Sequence, residues 1–273
     1  MKDDGELTDE AYWDAYWQDY KLPTEVRRKP GAVYINSILD VFDRFLPKDA
    51  DLSAAELGGS PGQYLAYIHR SRGYHITSID YSKVGCQKTS ENLRLLGIEG
   101  DVIEADIFAA VPGDPTFDVV YSLGLIEHFA DRIGVVDRHV RLTKPGGYLV
   151  LGVPNLRGIY GWFARRLRPK TYATHQVSAM NIAGWKDFEA RFELQPIFKG
   201  YVGGFEPRVF WGREKVALRR LPILVIAIGM DVAFHTVLGF ARRFNGPGIS
   251  GYAMAVYRVP EQGLRVDRPS VEP

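Results

Sequence analysis

At 273 residues, 46% of them apolar, the chain is long enough for one large α/β domain with additions and too short for two such domains. Its 34 basic and 33 acidic residues nearly cancel, which argues against a general nucleic-acid or anionic-surface binder and leaves only local patches. The single cysteine, Cys86, excludes an intramolecular disulfide and a cysteine-rich zinc site, and fits a reducing cytosol.

Residues 1–30 are acidic and aromatic without an apolar h-region, so no secretory signal is expected. Over residues 6–20, Tyr12, Tyr16 and Tyr20 recur at helical spacing beside Trp13 and Trp17, which predicts a short amphipathic helix that packs on a core or closes over a ligand. Pro23 and Pro30 mark a linker. A second helix follows from Ile35, Ile38, Leu39, Val41, Phe42 and Phe45, stopped by Pro47.

Residues 53–62 read Ser-Ala-Ala-Glu-Leu-Gly-Gly-Ser-Pro-Gly, an apolar strand running into a glycine-rich turn. Gly58, Gly59 and Gly62 let a ligand lie against the main chain. Ser60 as N-cap, Pro61 at the first helical position and Gln63 closing an S-x-x-Q box predict a helix over 61–70, whose free N–H groups favour a polar or anionic ligand. Regular alternation then predicts strands over 54–57, 75–79, 101–104, 117–121 and 148–153, with helices over 61–70, 84–96 and 131–143, the last capped by Asp131. That pattern is a doubly wound, mostly parallel sheet, whose strand C-termini share one ligand-binding edge. At that edge stand Asp80, Asp106 and the run Ser122-Leu123-Gly124-Leu125-Ile126-Glu127-His128-Phe129. A dinucleotide-binding dehydrogenase needs G-x-G-x-x-G and a substrate domain, whereas this turn reads G-G-x-x-G.

After the fifth strand, 154–168 carries Tyr160, Trp162 and Phe163 beside Arg165, Arg166 and Arg168, and 171–177 holds His175; both segments leave the ligand edge and can line an acceptor pocket. A helix over 181–192, a strand over 194–201 and a last, antiparallel strand over 249–258 complete the sheet. The expected organisation is a helical cap (1–50), an α/β core (51–202), a helical insertion (203–248), a last core strand (249–260) and a polar tail expected to be disordered (261–273).

From Glu56-Leu57-Gly58-Gly59-Ser60-Pro61-Gly62, Asp80, Asp106, 117–129 and Leu142-Thr143-Lys144-Pro145-Gly146-Gly147, the chain resembles the class I S-adenosylmethionine-dependent methyltransferases over about 54–202. The resemblance implies a Rossmann-like seven-stranded sheet and S-adenosylmethionine as cofactor. It implies that Glu56, Gly58, Gly59, Ser60 and Gly62 form the turn at the methionine part, and that Asp80 with Tyr81 holds the ribose. Asp106 meets the adenine amine, Ile107 packs on the ring, and Ser122 and Leu123 border the cofactor. Ser60 replaces the middle glycine of the family's E/D-x-G-x-G-x-G.

Methyl transfer from a sulfonium asks the protein mainly to align the acceptor, and the displacement itself requires no metal. An alcohol acceptor also needs a base with a pKa near neutrality. His128, beside Glu127, and His175 are placed for that role, each against the alternative of a packed histidine; His69, His75 and His139 suit packed or solvated positions. The expected reaction is O-methylation of a bulky or amphiphilic small molecule of secondary-metabolite or glycolipid type. N-methylation of an amine, and a cofactor-binding protein without catalysis, stay open beside it.

The stretch 221–240 is apolar and flanked by Arg219, Arg220, Arg242 and Arg243, which resembles a membrane span. Asp231 near its middle costs about 2.5–3.5 kcal/mol on insertion scales. A single crossing would also strand the insertion's ends about 30 Å apart. A helical hairpin broken at Pro222 is expected instead, with Asp231 and His235 sharing a face. It would serve as a lid over the acceptor pocket, a homodimer contact, or a peripheral membrane contact through 216–243 on a cytoplasmic protein.

Overall fold

This computed structural model describes residues 7–108, 117–206, 220–236 and 244–261. Two helices precede the sheet. α1 (Glu10–Gln18) is capped by Asp9, which accepts from the Tyr12 N–H at 2.9 Å. α2 (Val33–Phe45) buries Ile38, Leu39, Val41 and Phe42 on one stripe, and each such side chain contributes about 1.5–3 kcal/mol.

Seven strands follow: β1 (Ser53–Leu57), β2 (His75–Asp80), β3 (Asp101–Glu104), β4 (Phe117–Leu123), β5 (Thr143–Pro154), β6 (Gln195–Val202) and β7 (Tyr252–Arg258). Their spatial order is β3-β2-β1-β4-β5-β7-β6, parallel from β3 to β5, with β7 running antiparallel between β5 and β6. The helices are α3 (Gln63–Arg72), α4 (Lys83–Leu96), α5 (Arg132–Leu142), α6 (Gly158–Leu167), α7 (Pro169–Ala173), α8 (Lys186–Arg191) and α9 (Leu221–Thr236).

The strand period of two splits the core between the sheet's faces. Ala54, Val119 and Tyr121 pack with α2 and α3, while Ala55, Leu57 and Val120 pack with α5 and α8. Crossovers leave β1 toward β2 on one side, and β4 lies on the other. The crevice for a ligand therefore opens where the C-termini of β1 and β4 part, beside Asp80 at the end of β2.

Four local expectations change. Ser60 does not cap α3: its Oγ donates to Asp80 Oδ2 at 2.7 Å, and Gly62, at φ 76°, takes the cap position without a side-chain bond, so the box with Gln63 does not form. The helix over 181–192 is divided into a 3-10 turn, Ile182–Trp185, and the short α8, because Trp185 turns into the core and donates from Nε1 to the Ala179 carbonyl at 2.8 Å. β7 starts at Tyr252 rather than 249, since the preceding residues form a turn whose Pro247 and Ser250 carbonyls accept from Asn155 Nδ2. α9 runs through Pro222, which sits in the first turn where its missing N–H costs no helical bond, so the helix is not broken there.

The first arm of the expected hairpin, the side chains of Asp231 and His235, the flanking Arg219, Arg242 and Arg243, and the tail from 262 lie outside the described residues. Ile223, Leu224, Ala227 and Met230 of α9 pack against Tyr160, Phe163, Leu167 and Phe205. Leu221, Val225, Ile226, Ile228 and Val232 are exposed. Among the described residues, no helix is long and apolar enough to cross a membrane.

Candidate active site

β1 ends against Gly58, whose N–H donates to the Ile79 carbonyl at 2.9 Å. At φ 66° this position suits glycine, and a Cβ there would meet Leu125 Cδ1 at 2.8 Å. Asp80 closes the other side of the crevice. Its Oδ1 accepts from the Ser82 N–H at 2.9 Å and its Oδ2 from Ser60 Oγ, and with a further bond from the Ser60 N–H the carboxylate keeps acceptor capacity for a ligand hydroxyl. Burial pushes the Asp80 carboxyl above its ordinary value, and the bonds from Ser82 and Ser60 pull back.

The crevice is lined further by Tyr81, Asp106, Ile107 and Phe129, and roofed by Trp13 and Trp17 of α1. Asp14 of the same helix accepts from Ser82 Oγ at 2.6 Å and from the Val84 N–H at 3.1 Å, which pins α1 across the start of α4. The two indoles narrow the crevice to about 40 Å³.

The structure gathers Gly58, Asp80, Tyr81, Asp106 and Ile107 on this crevice and sets the other expected cofactor residues elsewhere. Glu56 is buried beneath the turn, where it accepts from Tyr121 Oη at 3.0 Å and occupies the space a Cβ on Gly59 would need. Burial raises its carboxyl to about 8, the Tyr121 bond works against that, and Asp80 adds to it. Ser60 and Gly62 support Asp80 and α3 from behind. Ser122 faces the opposite side of the sheet, where its Oγ lies 2.9 Å from His139 Nε2, because strand alternation turns it away from its neighbour Leu123. Leu123 lines a second cavity instead.

That second cavity, of about 380 Å³, shares Trp13 and Gly124 with the crevice and is walled by Tyr12, Tyr16, Tyr34, Tyr64 and Tyr252. Glu127, His128 and His175 line it. His128 sits in a 3-10 turn after β4 (Ile126–His128), and His175 follows α7. The two segments are tied where the Gln176 N–H donates to the Glu127 carbonyl at 2.8 Å and His128 Nδ1 donates to the Thr174 carbonyl at 2.7 Å. The rings lie 4.6 Å apart, with Trp13 edge-on to His128 at 5.1 Å.

His128 is not the near-neutral base the sequence led us to expect. Burial, then the neighbouring His175, lowers it to about 3, against the opposing pull of the Thr174 bond. Burial also lowers His175 and raises Glu127 to about 8, so at neutral pH both rings are neutral and Glu127 holds a proton. His139, buried between Ser122 and the Val135 carbonyl, and His69, bonded to the Tyr74 carbonyl, are packed, whereas His75 is exposed. Sequence reasoning did not single out Asp14, Tyr34, Tyr64 or Tyr252 for the two cavities. For Asp14 the available signal was its place inside the aromatic stripe of α1.

A methyltransferase-domain family model matches residues 55–151, which span β1 to β5. A ubiquinone biosynthesis O-methyltransferase of Alkalilimnicola ehrlichii is 34% identical over 100 residues, covering 36% of this chain and 40% of that protein. A glycine/sarcosine/dimethylglycine N-methyltransferase of Actinopolyspora halophila is 33% identical over 101 residues, covering 36% of this chain and 18% of that protein. The chain thus spans less than half the length of these two relatives. A 27-O-demethylrifamycin SV methyltransferase of Amycolatopsis mediterranei is 21% identical over 262 residues, covering 94% of this chain and 92% of that protein.

Among solved structures, the YcgJ protein of Bacillus subtilis superposes with a TM-score of 0.58 at 14% identity, covering 82% of this chain and 98% of that one. The [4+2]-cyclase SpnF superposes at 0.57 with 16% identity, covering 92% and 91%. These two show the fold alone. The crevice fits the cofactor that the domain match brings with it: a side-chain-free approach at Gly58, a buried carboxylate with spare acceptor capacity at Asp80 and an apolar wall at Ile107 suit an amino-acid tail, a ribose and an adenine respectively. Over residues 55–151 the chain therefore matches a methyltransferase domain laid out on a seven-stranded, Rossmann-like sheet, and S-adenosylmethionine is the cofactor that this domain match implies.

Proposed function

We propose that the chain methylates a hydroxyl group on a bulky or amphiphilic small molecule of secondary-metabolite or glycolipid type. The observation that carries this reading is the position of Glu127, His128 and His175 at the wall of an aromatic cavity that shares Trp13 and Gly124 with the cofactor crevice. S-adenosylmethionine supplies a methyl group on sulfonium sulfur, which passes in line to the acceptor oxygen and leaves the electron pair on sulfur.

The chain's own residues align the acceptor and receive its proton. Tyr12, Tyr16, Tyr34, Tyr64 and Tyr252 offer flat apolar walls with hydroxyl tips, suited to a large ring system. With Nδ1 held by the Thr174 carbonyl, His128 keeps its Nε2 lone pair for the acceptor hydroxyl, and Nε2 lies 3.9 Å from Glu127 Oε1. The hydroxyl proton passes to His128 Nε2 as the new O–CH3 bond forms, since the oxygen being alkylated becomes far more acidic than an imidazolium held at about 3. Trp13 and Trp17 exclude water. The O-methyltransferases among the relatives support this assignment.

Methylation of an amine is the second reading, favoured by the aromatic walls of the cavity, whose ring faces would hold a cationic amine, and by the N-methyltransferase relative. A cofactor-binding protein without turnover is the third. Mass spectrometry of acceptors co-purified from the native host, followed by turnover with S-adenosylmethionine, tests all three. A product one methyl heavier on oxygen is expected; methylation on nitrogen, or cofactor binding without turnover of any co-purified acceptor, would overturn the proposal.

The exposed apolar residues of α9, with the Arg166 guanidinium over Trp162 at 4.1 Å on the adjoining α6, suit an insertion that covers the acceptor side of a cytoplasmic protein. We assign 203–248 to that covering role or to a homodimer contact, with contact in the plane of an anionic membrane as the alternative. Flotation with anionic liposomes at low and high salt separates them, since membrane contact predicts co-flotation that weakens with salt.

A further inference from the structure

We propose that Glu127, His128 and His175 bind one divalent first-row transition-metal ion, of the zinc and manganese class, at the wall of the acceptor cavity. One ligand atom from each residue lies within 4.8 Å of the other two, and His128 Nε2 is 3.9 Å from Glu127 Oε1. Ligand atoms about 2.1 Å from one ion stand about 3 Å from each other, so the cluster has to close by an ångström or two, a movement within the reach of side-chain rotation.

Three observations favour an ion over a packed polar cluster. Both rings are braced from behind by backbone: His128 Nδ1 donates to the Thr174 carbonyl at 2.7 Å, and His175 Nδ1 to the Thr171 carbonyl at 2.7 Å. Metal-bound histidines are held in this way, with the lone pair of the other nitrogen left for the ion. Glu127 is fully buried, and neither of its carboxylate oxygens has a hydrogen-bond partner among the described residues, a costly arrangement for a polar group away from water. No lysine or arginine is among the described residues that line the cavity, so none of these side chains supplies a positive charge to this set.

Two imidazole nitrogens and one carboxylate favour first-row transition ions over calcium or magnesium, which take oxygen ligands. Three protein ligands leave coordination positions open toward the cavity. Resting on the O-methylation reading, the loaded site would take the acceptor's hydroxyl, or two neighbouring oxygens of it, and favour the deprotonated form that attacks, with the proton released to water and His128 acting as a ligand in place of a proton acceptor. The spacing in sequence gives no hint of this, because His175 lies far along the chain from Glu127-His128 and joins them only through the paired loops.

The test uses the full chain, free of any affinity tag and stripped with chelator. Cobalt titration followed by visible absorption, and zinc titration by calorimetry, should show saturation near one equivalent. His175→Ala and Glu127→Gln should each weaken binding about tenfold or more while S-adenosylmethionine still binds, which shows that the variants fold. Should a variant not fold, NMR of the cobalt-loaded wild-type chain decides, with hyperfine-shifted ring N–H signals from two histidines expected. Absence of stoichiometric binding, unaltered affinity in both variants, or a cobalt spectrum without shifted histidine signals would overturn the site. Full methyl transfer in excess chelator would also overturn it while leaving O-methylation standing; loss of S-adenosylmethionine binding by the wild-type chain would strike the methyl-transfer reading instead.

Discussion

Glu56→Gln should make the protein more stable at alkaline pH, and the gain can be worked from where this carboxyl sits. Glu56 is 2% exposed beneath the glycine turn, and burial holds its carboxyl at about 8 against an ordinary 4.5. Because the folded-state value lies above the unfolded one, the folded chain keeps a proton that the unfolded chain has lost at any pH between them. Stability therefore falls as pH rises from 4.5 to about 8, by up to about 1.4 kcal/mol for each pH unit, and levels off above that. The whole penalty approaches 5 kcal/mol, an upper bound because local relaxation and water entry reduce it. Glutamine keeps the carbonyl that accepts from Tyr121 Oη and has nothing to titrate. Urea unfolding of both proteins at several pH values between 5 and 9 measures the difference, which cancels the other buried acids common to both. The stability gap should open steadily toward alkaline pH, with S-adenosylmethionine affinity near wild type. Parallel pH curves for the two proteins would show that Glu56 ionises as readily in the folded chain as in the unfolded one, and the burial argument would fail.

Asp80→Ala should weaken S-adenosylmethionine binding in calorimetry by about 1.5–3 kcal/mol, the cost of removing a charged acceptor from ligand hydroxyls. Gly58→Val should abolish that binding, since the added side chain meets Leu125 and strains a backbone at φ 66°, while circular dichroism reports an intact sheet. His128→Ala should lower turnover about 10²- to 10⁴-fold with cofactor affinity retained; an unchanged rate would move proton transfer to His175 or point to an amine acceptor. Asp14→Ala removes both bonds from α1 to the start of α4, so amide exchange over Glu10–Gln18 should quicken while that of the sheet stays slow.

The parts of this site that could be read in the sequence are those fixed by local rules. A glycine turn after an apolar strand, and acids where strands end, follow from a period of two and from the winding of a parallel sheet, and Gly58 and Asp80 stand where that reasoning puts them. The cap at Asp131 is local in the same way, accepting from the Gly134 N–H at 2.9 Å. Ser60 misled because two partners competed for one hydroxyl: a helix start three residues on, visible in sequence, and the Asp80 carboxylate, which only tertiary structure brings within 2.7 Å. The charged acceptor wins, since a hydrogen bond to an ionised group is worth about twice a neutral one. Ser122 was legible in principle, because Leu123 and Ser122 cannot face the same side of one strand.

His128 and His175 show the opposite case. Their residue types suggested proton transfer, but the depth of burial that lowers both rings, and the absence of a hydrogen-bond partner for the Glu127 carboxyl among the described residues, exist only once two distant loops have paired. Trp13 ties these levels together. It belongs to a stripe that helical periodicity predicts, yet its ring lines the cofactor crevice, packs edge-on against His128 and borders the acceptor cavity. Any lifting of α1 would therefore also uncover His128, so a Trp13→Ala change should loosen cofactor retention and open the acceptor cavity to water together. Stopped-flow cofactor release and the accessibility of His128 to diethylpyrocarbonate would report the two effects. Faster release with His128 still protected would mean that the helix does not couple the two cavities.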